Sequence, residues 1–308
     1  MLQILSQQKR ALGSVVTLTL VGLDLTTLEE QMVKLWSIVD EFESSFSRFL
    51  LTSELTQVNI SSGKKTTVSK EFISLIKVCS DAFKLTGGVF NPLILPVLQL
   101  SGYKNSFSEY SKHIKAPDFS KRKTYDFSEV KYGENWVILP KNSALDFGGC
   151  GKGFLADKLA DTTDVNQKIS GYWFSLGGDI VTNGLDQNNE PWSVAIQDAK
   201  KADQDIGEIL ATGDRLAIAT SGIIKRGGLG WHHLIDIKTN APAVTDILTA
   251  TICDVSATKA DIMASCAVIV GAKNSPEFLK KVGIYEYFIQ TSNDYIRSGG
   301  LIKRYNSK

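Results

Sequence analysis

One loop, "LDFGGCGKGFLAD" (145–157), concentrates the residue types that do chemistry. Glycines at 148, 149, 151 and 153 let a backbone approach a ligand closely, Lys152 adds a cation, and Asp146 stands at the front edge. An apolar run precedes the loop and helix-like sequence follows it, so free N–H groups at a helix start would face an anion. Two phosphate-binding templates test that reading. A Walker loop would need glycine where Asp146 stands and Ser or Thr where Gly153 stands, so it fails at both ends. Gly151, Gly153 and Ala156 fit the dinucleotide fingerprint locally, but the downstream "GYWFSLGGD" ends in its own glycine pair and not as a second dinucleotide-fold strand. An ordinary tight turn, with Asp146 and Lys152 as a surface ion pair, is the alternative.

A second constellation lies more than a hundred residues downstream. In "ATKADIMASCAVIVG" (257–271), Asp261 and Ser265 are four apart, so on a helix their oxygens share one face. That face is otherwise small and apolar, a poor place for a carboxylate without a partner. A hard cation would supply one, taking a carboxylate, hydroxyl or carbonyl oxygens and substrate phosphates. The competing reading is an aspartate favoured by the positive end of the helix dipole.

The elements that would position these groups follow from periodicity. "SVVTLTLVG" (14–22) alternates as a strand. Thr26 and Glu29 have capping-box spacing and predict the start of a helix carrying Leu28, Met32, Leu35, Val39, Phe42 and Phe46 inward. Ser69 reads as the N-cap of a second helix that stops at Gly87-Gly88. The two prolines in 89–103 make that stretch too broken for a regular element, and 104–131 reads as a polar, Lys-rich surface excursion. Strands are expected near 135–140, 171–184, 191–198, 215–222, 232–237 and 249–255, with helices over 153–163 and 257–271. Strands follow strands in the second half, so the class is α+β with mixed sheets packed against helices.

Composition narrows the function. The 308 residues are 43% hydrophobic and 22% charged with a formal net charge of +1, ordinary for a globular protein with a large core. No net field steers such a chain to nucleic acid or an anionic membrane, so small molecules and other proteins are the expected partners. Cys79, Cys150, Cys253 and Cys266 lack metal spacing and read as buried free thiols. The N-terminus has no signal-peptide pattern and no run is apolar enough to span a membrane, which points to a cytoplasmic protein.

Taken in order, "ALGSVVTLTL", "FSRFLLTSELTQVN", "TGGVFNPLILPVLQLSGY", "LDFGGCGKGFLAD", "SLGGDIVTNG", "PWSVAIQD", "ATSG", "HHLIDIKTNAP" and "KADIMASCAVIVG" resemble the ApbE family of FAD:protein FMN transferases. The likeness runs from about residue 11 to residue 272 and implies one ApbE-like, T-fold-like domain over 1–308, a single compact unit of two lobes. It also implies an enzyme that uses Mg2+ to cleave FAD and attach FMN through a phosphoester to a Thr or Ser of a target flavoprotein, releasing AMP. Such an acceptor would carry an S-G-A-T-like motif. By position, the resemblance assigns Asp146, Lys152, Leu12, Val89, Phe90, Asn91 and Ile235 to FAD, and Gly149 (through its carbonyl), Asp261 and Ser265 to the metal. His233 is the expected general base, with a histidine that only packs or supports a neighbouring group as the alternative; Asp236 is expected to orient the loop or the ligand.

Several positions depart from the family pattern. Leu12 and Ser14 stand for the Met and Thr of M-G-T, Asn91 for Asp, Ile237 for Pro, Asn240 for Gly, and Ser265 for Thr. "TSGIIKR" lacks the usual polar-aromatic pair, and Ala264 offers no side-chain ligand. Two other functions stay open: a FAD pyrophosphatase or flavin-holding protein of the same family, and a Rossmann-like oxidoreductase.

Overall fold

The computed structural model describes residues 1–100, 125–201, 203–224, 227–228 and 231–304. Most of the polar stretch 104–131 therefore lies outside the described residues, as do Lys225 and Arg226 of "TSGIIKR".

Eight strands form the central sheet, in the order Gln3–Ala11, Ser14–Gly22, Ile169–Leu176, Asp179–Gly184, Leu216–Gly222, Ile247–Asp254, Glu286–Thr291 and Tyr295–Ser298. Every neighbouring pair is antiparallel. A dinucleotide fold is built on parallel strands joined by crossover helices, so its fingerprint match in the glycine loop is coincidental. The first strand is not evident from sequence because it sits at the sheet edge and is almost wholly exposed, which removes the alternation. It turns into the second through Leu12 and Gly13, both left-handed (φ 58° and 66°), the two-residue turn whose twist matches paired strands.

Alternation sends neighbouring residues to two cores. On one face Val181, Ala217, Ala219, Ile252, Tyr287 and Ile289 join the main core under the helices α1 (Leu25–Phe46), α2 (Glu54–Ile60), α3 (Lys70–Leu85), α5 (Gly151–Asp164) and α6 (Ala257–Val270), while α4 (Leu95–Leu100) puts Val97 and Leu98 against Ile235 in a small cluster of its own. On the other face Ile180, Ile218, Cys253 and Phe288 meet Val194, Ile196, Ile209 and Ile302 of a three-stranded sheet. These are the mixed sheets and helices expected of the α+β class. Fully burying each such aliphatic side chain contributes roughly 1.5–3 kcal/mol, so the period-two pattern fixes the faces firmly.

Local signals place most helix ends. Ser69 accepts the Phe72 N–H at 3.1 Å and caps α3, and Gly87 and Gly88 end it with φ of 59° and 83°. For α1 the expected Thr26–Glu29 box is not the cap. Asp24 is, taking the Thr27 N–H at 3.0 Å and the Thr27 hydroxyl at 2.7 Å, because a carboxylate accepts both without competing for its own backbone. The proline-broken segment does hold one regular piece, α4, where Pro96 occupies the first turn that tolerates it.

Candidate active site

The glycine loop runs from Asp146 into the first turn of α5. Its floor is aromatic: Phe147 meets Phe46 edge-on at 6.0 Å and Phe72 at 5.7 Å. Each such pair is worth about 0.5–1.5 kcal/mol beyond burial, which anchors an otherwise pliable segment. Above the floor, Asp146 is held three ways. Its N–H donates to the Pro92 carbonyl at 2.8 Å, its Oδ1 accepts the Gly148 N–H at 2.8 Å, and its Oδ2 lies 3.1 Å from Arg48 Nε. A Cβ at Gly148 would fall 2.7 Å from Asp146 Oδ1, so that glycine is required by the aspartate's own position.

Asp146 and Lys152 therefore do not pair with each other across the loop. Lys152 turns to Asp179, and both side chains are largely buried. Asp179 follows the Gly177-Gly178 turn, whose φ values of 69° and 102° only glycine adopts readily.

At the other end, α5 and α6 cross at close range. The Gly153 N–H is one of the helix-start donors left over in α5, and it donates to Asp261 Oδ2 at 3.2 Å. A Cβ on Gly153 would meet the Ala257 carbonyl oxygen at 2.5 Å, so the crossing exists only because residue 153 is glycine. Asp261 is 3% exposed and Ser265 8%. The Ser265 hydroxyl lies 2.9 Å from that of Ser221, on the strand Leu216–Gly222.

A single cavity of about 560 Å³ joins the two ends. Every residue expected at the site lines it: Leu12, Val89, Phe90, Asn91, Asp146, Gly149, Lys152, His233, Ile235, Asp261 and Ser265. Their contacts differ from expectation in places. Asn91 spends its amide locally, donating to the Tyr125 carbonyl at 2.8 Å and accepting the Leu93 N–H at 2.9 Å, so its side chain holds the 89–93 segment in shape. Leu12 stays left-handed because Glu43 Oε1 accepts its N–H at 2.7 Å. Both aromatics beside Arg48 line the cavity, but Phe46 is buried in the core, whereas Phe49 is 42% exposed and lies 4.6 Å under the guanidinium.

The two adjacent histidines separate cleanly. His232 is buried, with Nε2 2.9 Å from the Ala243 carbonyl and Nδ1 accepting the Leu234 N–H at 3.3 Å. Burial pushes its pKa below the ordinary value, so it is a neutral anchor. His233 is half-buried and faces the cavity. Asp236 Oδ1 accepts the Lys238 N–H at 2.9 Å and shapes the following turn, where Asn240 adopts φ 51° in place of a glycine.

Four contributors to the site were not anticipated from sequence: Glu43, Arg48 as the partner of Asp146, Asp179, and Ser221. Arg48 carried a faint signal, as a cation between two aromatics.

The ApbE family model matches residues 12–289. The chain belongs to the ApbE family. A Vibrio cholerae relative named FAD:protein FMN transferase is 26% identical over 258 residues, covering 80% of this chain and 75% of the relative. A Salmonella typhimurium relative of the same name is 24% identical over 300 residues, covering 92% and 84%. The solved structure of the ApbE protein from Thermotoga maritima shares the fold, with a TM-score of 0.84 at 22% identity over 96% of this chain and 97% of that one.

The donor set at Asp261 suits a hard cation in a particular way. Among the described residues no three His, Cys, Asp or Glu side chains gather into a metal cage. One buried carboxylate and one hydroxyl facing a cavity match the habit of Mg2+, which completes its shell with carbonyls, water and substrate phosphates. Gly149 leaves its side of the cavity open: a Cβ there would find only Phe90 Cε2, at 3.9 Å.

Proposed function

We propose that this chain, a transferase of the ApbE family, moves the FMN half of FAD onto a Thr or Ser hydroxyl of a target flavoprotein and releases AMP. The observation that carries the reading is the cavity that runs from the Asp146–Arg48 pair to the Asp261–Ser265 pair, with a glycine-built helix start between them. FAD has matching parts in matching order, a hydrogen-bonding ring system at one end and a pyrophosphate further along.

Asp261, Ser265 and the Gly149 carbonyl would hold Mg2+, whose Lewis acidity would offset charge developing on the pyrophosphate oxygens. Asp146, its charge already met by Arg48, orients the flavin. Leu12, Val89, Phe90 and Ile235 exclude water around the ring, and Lys152 with the helix-start N–H groups of α5 receives phosphate charge. His233 accepts the proton of the acceptor hydroxyl as its oxygen bonds to the FMN phosphorus, and the pyrophosphate bond breaks with its electron pair leaving on AMP. Among the described residues no helix is long and apolar enough to cross a membrane.

The test is incubation with FAD, Mg2+ and an acceptor protein bearing an S-G-A-T-like threonine. Flavin fluorescence that stays with the acceptor on a denaturing gel is the expected result. Free FMN and AMP with an unlabelled acceptor would replace transfer by FAD pyrophosphatase activity.

A further inference from the structure

The helices α5 and α6 cap each other. Asp261 of α6 takes the Gly153 N–H of α5 at 3.2 Å, one turn before Asp157 of α5 reaches back to the start of α6. There the Asp157 carboxylate accepts four hydrogen bonds: Ala257 N–H at 2.8 Å, Thr258 N–H at 2.9 Å, and the hydroxyls of Ser256 and Thr258 at 2.8 and 2.6 Å. Arg215 backs it, with Nη2 2.7 Å from Asp157 Oδ1 and Nη1 2.5 Å from Asp161 Oδ1. Ser256 also caps α6 in the usual way, accepting the Lys259 N–H at 3.2 Å.

A second capping group on an already capped helix needs a reason beyond helix formation. The crossing supplies one. With the Gly153 Cα against the Ala257 carbonyl, a slide of α6 along α5 has no side-chain cushion to resist it. Asp157 bears on this degree of freedom, because its two oxygens accept backbone N–H groups in the first turn of α6. Asp261 and Ser265 follow one and two turns later on the same helix, so their distance from the glycine loop is set at Asp157.

We propose that Asp157, held by Arg215, is the positioning residue of the metal half of the site. It touches neither metal nor FAD; it sets the register in which Asp261 and Ser265 meet the loop. This rests on the metal reading of that pair given above. Groups one contact away from a metal's ligands typically change its affinity by about 10–100-fold when replaced.

The experiment compares wild type with Asp157→Asn, reading Mn2+ affinity by electron paramagnetic resonance, the Mg2+ concentration for half-maximal FAD turnover, and Tm. The expected result is metal affinity lowered by about tenfold or more, a parallel rise in the Mg2+ requirement, and a rate at saturating Mg2+ within a few-fold of wild type. Asp24→Ala, which removes the cap of α1 far from the cavity, controls for stability: it should lower Tm and leave Mn2+ affinity unchanged. If Asp157→Asn fails to fold, Arg215→Gln keeps the capping carboxylate and should shift Mn2+ affinity in the same direction. A lowered Tm with wild-type Mn2+ affinity overturns the proposal while leaving the metal reading intact. Wild-type protein that binds no Mn2+ overturns both.

Discussion

Asp146 and Asp261 are 7% and 3% exposed in the same cavity, yet their charges are met by different means. Asp146 has a permanent counter-ion, Arg48, and a backbone N–H from Gly148. Asp261 has the Gly153 N–H and, among the described residues, no ion pair. A buried carboxylate with a built-in cation can still take a neutral donor from a ligand, but has little to gain from a second cation. One balanced by a single dipole is left with charge for a mobile cation to meet. The elements differ too: Asp261 is fixed on a helix by reciprocal capping, whereas Asp146 sits on a loop held by a glycine contact and an aromatic floor.

Asp261→Asn is the sharpest way to break this comparison. It keeps the shape and one acceptor for Gly153 but removes the charge, and Mg2+-dependent FAD turnover should fall by about 10²–10³-fold, the scale of losing one electrostatic group in an active site. Tm should change little. Turnover within a few-fold of wild type would mean that the charge serves the α5–α6 junction and not a cation. Asp146→Asn should act on the other axis. Replacing the charge-assisted contact to Arg48 Nε by a neutral one should cost about 1–2 kcal/mol of stability and weaken FAD binding, with Mn2+ affinity unchanged. A loss of metal affinity there would merge the two ends into one electrostatic unit.

The sequence exposed this division unevenly. Asp146, Lys152, Asp261 and Ser265 stand out in the sequence because charge and hydroxyl interrupt glycine-rich or apolar runs, whereas the place of Gly149 comes from the family resemblance. Their shared cavity was suggested by family resemblance, and the residues themselves could not have supplied it. What stayed hidden was pairing across long stretches of chain. Nothing in the sequence pairs Arg48 with Asp146 or Asp157 with the start of α6, because both contacts are made by the fold. The edge strand Gln3–Ala11 was hidden for the opposite reason: with no buried face it has no period. The cap of α1 slipped by two residues because Asp24 and Thr26 are both good caps, and only geometry distinguishes them.

The smallest effect separates the two ends by pH. The loop beside Ile235 is pinned by neutral His232, donating to Ala243 and accepting from Leu234, and burial holds its pKa below the ordinary value. In the unfolded chain His232 takes up a proton near the reference pH of about 6.5, while in the fold it resists until more acid conditions. Its contribution to stability is therefore complete above that pH and declines as the pH falls below it, because the unfolded state binds the proton first. Tm measured from pH 8 to pH 5 should show this decline in wild type and a shallower one in His232→Gln, whose amide cannot be protonated. FAD affinity should weaken over the same acid window if the loop loosens, with Mn2+ affinity changing less. A Tm difference between the two proteins that stays constant across the range would remove His232 as the anchor of the flavin end.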